Sequence, residues 1–371
     1  MEIKRAGLSL SFNQDYSLFS MGTENGFQIF NTFPFNEGYD KILHGGIAKC
    51  ELSYRSNYLA LVGGGRVPKY DPKKVVIYND AENSIEAEFK FTTKVLNVKI
   101  KKFLIFIICE KTIYSFNFQT NQNIDCLETP LNLKGLFAIN GSPEKTIIAY
   151  PISYKGEENK VHVCIKNYKT HKSLPVAVLD DKISFIAMDY KGLLLAIANE
   201  KGTIVRIHNV ANGTLMQECK RGKEKAEINY IAFDMNYKYI GVSSDRKTIH
   251  IWKLDSIIEK KKSDLNSQTK PQIKNEGFSH KKCLTTVGDK MTNLTLEDFD
   301  IKEIKGSKTD SSFAKVRIKE PNSIFCFRPD NKVIVINLSG KYYIYKIDKK
   351  GGDCELDKET GIKGLKVMKF E

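Results

Sequence analysis

Short runs of β-branched and aromatic residues alternate along this chain with Gly, Asn, Asp and Lys turns, and long amphipathic helical patterns are scarce. The runs fall into a repeating unit. An apolar strand leads into a polar turn, a second apolar strand, another turn and a third strand that ends on an aromatic or aliphatic residue. One copy reads Leu8-Ser9-Leu10-Ser11-Phe12, Asn13-Gln14-Asp15, Tyr16-Ser17-Leu18-Phe19-Ser20-Met21, Glu24-Asn25-Gly26, Phe27-Gln28-Ile29-Phe30. The same order returns near Cys50, Val95, Gly135, Ile183, Ile228 and Ser323. A unit of this kind cannot bury its strands alone, and copies spaced by roughly 40 residues predict a β-propeller. The expectation is one all-β domain over residues 1–371, a seven-bladed, WD-repeat-like propeller.

The register stretches most between Asp255 and Ser312, a stretch rich in Lys, Ser, Asn, Thr and Asp. It predicts a long flexible loop, 255–312, inserted in blade six before Phe313-Ala314-Lys315-Val316-Arg317-Ile318 completes that blade.

Composition narrows the chemistry. The net charge of +14 favours phosphate-bearing partners, on nucleic acid or on a membrane. Eight cysteines are scattered, with no CxxC pair and no histidine at metal-ligand spacing, which predicts buried thiols in a reducing compartment and neither metal nor cofactor. No run reaches the ~18 apolar residues of a membrane span, so membrane association is expected to be peripheral. No Ser-His-Asp spacing or carboxylate pair stands out, and Gly63-Gly64-Gly65 lacks the Lys-Ser/Thr of a phosphate-binding loop; an enzyme is not expected. A nucleic-acid partner is not expected either, because basic and aromatic residues are not interleaved on a recognition element.

The densest candidate chemistry lies in Gly202–Trp252. Between two strand-like runs stands Cys219-Lys220-Arg221-Gly222. Side chains alternate faces along a strand, so two adjacent cations on extended backbone point to opposite sides and can serve two anionic sites. Arg206, Lys220, Arg221 and Lys225 supply cations here, and Thr203, Ser243, Ser244, Thr248 and His250 supply hydroxyl or imidazole donors, the groups a phosphorylated polyol requires.

Seven such units with Cys219-Lys220-Arg221-Gly222 between the fifth and sixth resemble the PROPPIN (WIPI) family, whose marker is Phe/Leu-Arg-Arg-Gly. Glu200-Lys201-Gly202-Thr203-Ile204-Val205-Arg206-Ile207 before the motif and Val242-Ser243-Ser244-Asp245 after it resemble that family too. Asn57-Tyr58-Leu59-Ala60-Leu61-Val62-Gly63-Gly64-Gly65 with Pro68-Lys69-Tyr70 resembles its shorter branch. The resemblance implies a monomeric, cytoplasmic adaptor on autophagosomal or endosomal membranes that binds phosphatidylinositol 3-phosphate, and allows for the 3,5-bisphosphate. It groups Lys220 with Thr203 and Arg206 in one pocket, and Arg221 with Ser243, Ser244, Thr248 and His250 in another. It further implies that blades one to three recruit an autophagy lipid-transfer protein, with Asn13 and Asp15 contributing from the blade-one turn. The alternative is a WD-repeat-type interaction scaffold without lipid binding.

Three departures shift the balance between the pockets. Lys220 lacks the planar fork of an arginine, Leu179-Asp180-Asp181 replaces an expected upstream histidine, and Lys247 stands where a turn glycine is expected. The Lys220 pocket is therefore expected to be the weaker.

Overall fold

The computed structural model describes residues 7–36, 38–153, 162–177, 182–254, 258–260, 299–301 and 309–362. Its strands form seven antiparallel sheets set around a central channel, each built from one contiguous stretch of chain up to its fourth strand. Blade one runs Gly7–Phe12, Leu18–Thr23, Gly26–Asn31, Tyr39–Ile42, and the later blades begin at Ile47, Asn97, Ala138, Ile183, Ile228 and Ser323. The seven-bladed propeller expected from the repeats is the observed fold.

Short parallel strands, Thr309–Ser311 and Gly352–Asp353, extend the edges of blades five and six, and every blade has a fourth strand, in six blades one beyond the three that the repeats predict. These strands carry little hydrophobic pattern because one edge and much of their surface meet solvent. Tyr39–Ile42 and Glu355–Gly361 are largely exposed, whereas the second strand of blade one, Leu18–Thr23, is buried throughout. The apolar run that marks an inner strand breaks up wherever burial is lost.

Both faces of each sheet are covered by neighbouring blades, and an apolar cluster lies at each of the seven interfaces. Among the described residues, the ring closes between blades seven and one without a shared strand. Phe12, Phe19 and Phe30 of blade one pack with Ile334, Ile336 and Tyr342 of blade seven. The Tyr342 ring stacks on Phe35 at 4.4 Å, and its hydroxyl donates to the Thr32 carbonyl at 2.7 Å. Outside this seam, the Arg328 guanidinium lies 3.4 Å from the centre of the Phe33 ring.

Blade six takes its fourth strand, Ala314–Arg317, from beyond residue 312, with His250 opposite Lys315. The expected loop 255–312 lies largely outside the described residues. Within it, Ile258–Lys260 pairs with Phe299–Ile301, and Thr309–Ser311 adds a parallel strand to the edge of blade five with Ser311 opposite Lys220. The seven described cysteines are all free, and five of them are buried.

Because blade seven is tied to blade one by side chains alone, Tyr342→Phe should cost about 1 kcal/mol in urea unfolding, the net value of one buried hydrogen bond. The stacked ring is retained, so the spectroscopic signature of the native fold should not change.

Candidate functional site at the edge of blades five and six

Cys219 and Lys220 end the outer strand of blade five, Leu215–Lys220, and alternate as an extended strand requires: Cys219 is wholly buried and Lys220 exposed. The chain leaves the sheet at Arg221, whose N–H donates to the Thr203 carbonyl at 2.8 Å. Its side chain folds back over the turn. Nε donates to the Gly202 carbonyl at 2.6 Å and Nη2 to the Glu224 carbonyl. Two of the five guanidinium donors are thereby fixed, and no carboxylate lies within ion-pair distance of Arg221 among the described residues. Lys220 likewise carries no ion pair among them.

The two predicted pockets differ sharply in charge. Arg206 faces Glu218 across the strand pair, and its Nε meets Glu218 Oε1 at 2.8 Å. That carboxylate neutralises the main cation grouped with Lys220, and both side chains are largely covered. Thr203 is half-buried beside it. The Leu179-Asp180-Asp181 segment, expected to weaken the same pocket, lies outside the described residues.

On the blade-six side, His250 is 8% exposed, and its Nδ1 lies 3.2 Å from Ser312 Oγ. Burial, reinforced by Lys315 and then Arg221, lowers its pKa from 6.5 to about 4, so the imidazole is neutral near pH 7. Thr248 is partly exposed, and its hydroxyl donates to the Arg246 carbonyl at 3.3 Å. Lys225 is exposed, and its carbonyl accepts from Arg246 Nη2 at 3.1 Å.

Ser243 and Ser244 do not fit the donor role expected of them. Both are wholly buried; Ser243 Oγ bonds the Tyr230 carbonyl at 3.5 Å, and Ser244 Oγ accepts from the Arg246 N–H at 3.4 Å. They shape the strand and its turn from inside and present no hydroxyl to solvent.

Two cations absent from the predicted set complete the site. Arg246 is exposed in the turn after Ser244, where its only ion pair among the described residues is a long 3.7 Å contact with the exposed Glu224. Lys315 is exposed on the strand beside His250. Arg246 was open to detection as a third basic residue near the motif. Lys315 was not, because only strand pairing brings it across a separation of 65 residues to His250. Lys247, in place of the expected glycine, adopts the left-handed φ of 56°.

The blade-one turn is also built differently from its expected role. Asn13 is 3% exposed: its Nδ2 donates to Ser17 Oγ and the Tyr54 carbonyl, and its Oδ1 accepts from the Leu18 N–H. Gln14 Nε2 donates to the carbonyls of Leu52 and Ile100 at 2.8 and 2.7 Å, which ties blades one, two and three together. Asp15 is partly exposed, and one carboxylate oxygen accepts from the Ser17 N–H.

This fold and this basic edge agree with the comparison to known proteins. The family model described as PROPPIN matches residues 6–362. The chain belongs to the PROPPIN family. Autophagy-related protein 18 of Komagataella pastoris is 30% identical over 277 residues, covering 66% of this chain but only 51% of that relative's length. Among solved structures, Hsv2 of Kluyveromyces marxianus superposes with a TM-score of 0.69 at 15% identity, covering 97% of this PROPPIN and 99% of that chain. KlAtg21, solved in complex with the coiled coil of AgAtg16, gives a TM-score of 0.68 at 19% identity and covers 96% and 99%. At these identities the structural likeness speaks to the fold alone. The family is one of non-enzymatic propellers, in keeping with the expectation from sequence.

Two stability measurements follow from the geometry. Asn13→Ala should lose about 2 kcal/mol in urea unfolding, because it strands buried backbone groups in two blades, while Asp15→Ala should lose clearly less. Lys247→Gly should gain about 1 kcal/mol by relieving a left-handed backbone that disfavours side chains.

Proposed function

We propose that this PROPPIN is a peripheral membrane adaptor that binds phosphatidylinositol 3-phosphate, and secondarily the 3,5-bisphosphate, at the edge of blades five and six. The observation that carries this reading is the grouping of Arg221, Arg246 and Lys315 around the blade-six strand that bears His250, with no carboxylate within ion-pair distance of Arg221 among the described residues. Three cations on one rigid edge suit a phosphorylated ring, and Arg221 keeps guanidinium donors pointing away from the two carbonyls it already bonds. The Lys220 pocket is the subordinate one, because Glu218 takes up Arg206. Among the described residues no helix is long and apolar enough to cross a membrane. The protein would meet its membrane from the cytoplasm by this edge.

Recruitment of an autophagy lipid-transfer protein is assigned to blades one to three. Asn13 is used up inside the fold, so a partner contact from this turn would come from Asp15. A scaffold that binds no lipid is the alternative reading.

Liposome co-sedimentation decides between them. Wild type should pellet with vesicles containing phosphatidylinositol 3-phosphate and stay in solution without it. Arg221→Ala should weaken binding about tenfold or more, the worth of charge-assisted hydrogen bonds, and Lys220→Ala should weaken it less. Glu218→Gln, which releases Arg206, should strengthen it about threefold. Indifference of the wild type to the lipid would leave the scaffold reading.

The pH dependence has a definite sign. The folded pKa of His250 lies below the unfolded value, so protonation favours the unfolded chain, and this residue's contribution to stability declines as pH falls from 6.5 towards about 4. A bound phosphate opposes that by favouring the imidazolium. Lipid binding should therefore tighten between pH 7.4 and about 5, and His250→Gln should flatten that change.

A further inference from the structure

The central channel has two unlike walls. One cavity of about 380 Å³ opens at the face that holds Glu227, and a second of about 230 Å³ occupies the other end. They share Asn97, Phe137, Phe185 and Ile186, so they are two halves of one passage. Blades one to three contribute a polar, charged wall. Glu51, 6% exposed, accepts from Ser11 Oγ at 2.6 Å and pairs with Lys99 Nζ at 2.6 Å.

Lys49 stands two residues before Glu51 on the same strand, and therefore on the same face. It has no hydrogen bond or ion pair among the described residues, and burial and the neighbouring Lys99 both disfavour its charge. One carboxylate thus serves two ammonium groups, which leaves an excess positive charge inside the ring. The opposite wall is apolar and aromatic: Phe185 and Tyr230 meet edge to face with centres 6.2 Å apart.

We propose that the channel is a binding site for a small organic anion carrying a flat ring, with its anionic group at Lys49 and Lys99 and its ring against Phe185 and Tyr230. A half-buried lysine pair with one counterion gains from any added anion, and partial enclosure strengthens that attraction relative to the solvent-washed edge of the propeller. The aromatic wall supplies affinity that a bare inorganic ion cannot use. This site is separate from the edge site and does not depend on lipid binding there.

Phenyl phosphate combines the two features, and inorganic phosphate and phenol carry one each. In calorimetric titrations of the full chain, phenyl phosphate should bind at least tenfold more tightly than either half. Lys49→Met should weaken it tenfold or more without lowering the melting temperature, since that change removes an unpaired charge from a covered position. If Lys49→Met does not fold, Lys49→Gln tests the same charge. Phe185→Leu should weaken phenyl phosphate while leaving inorganic phosphate unchanged, and Arg221→Ala should leave the advantage of phenyl phosphate over inorganic phosphate in place. The proposal is overturned if phenyl phosphate binds no better than inorganic phosphate, if its binding survives loss of the Lys49 charge, or if Arg221→Ala abolishes it.

Discussion

Ring closure is the constraint on which the rest of the molecule depends. Each sheet has two apolar faces, and neither is satisfied until a neighbour lies on it, so the blades become stable only when the seventh interface is made. That last seam joins chain ends more than three hundred residues apart through Phe19, Phe35, Tyr342 and the Thr32 carbonyl. A closed ring, in turn, holds the edges and turns of the blades at fixed separations. The basic edge between blades five and six therefore comes preorganised, with Lys315 on a strand and Arg221 and Arg246 in turns that the blade strands hold.

At that edge, charge balance decides which cations can act. Arg206 and Arg221 look equivalent as residue types, yet Arg206 meets Glu218 across a strand pair, and among the described residues the Arg221 guanidinium hydrogen-bonds to carbonyl oxygens and makes no ion pair. Carbonyls orient a guanidinium without cancelling its charge. The same principle separates Lys99, paired with Glu51, from Lys49, which has no ion pair among the described residues. A covered cation without a counterion is where an external anion would be most stabilised.

Neutral His250 illustrates a related effect. Its donor type invites a reading as a phosphate-binding cation, but enclosure beside Trp252, with Lys315 and Arg221 close by, keeps the proton off at neutral pH. Its contribution there is a polar ring held by Ser312, and it becomes a cation only in acid or beside a bound phosphate.

The sequence by itself determined the seven-bladed fold, because burial on both faces makes the inner strands short, near-continuous apolar runs that return at a regular spacing. It also marked the basic motif at Lys220-Arg221 and the blade-six strand around Ala314–Arg317. It could not announce the other outer strands, where exposure erases the pattern. Nor could it tell that Ser243, Ser244 and Asn13 turn inward, since a serine or asparagine reads alike whether its partner is a backbone carbonyl or a ligand. Only the tertiary structure set Glu218 against Arg206, brought Lys315 across the blade-six excursion to His250, and faced two channel lysines towards one carboxylate. Those relations depend on pairing register and ring geometry, and neither is written in any local stretch of residues.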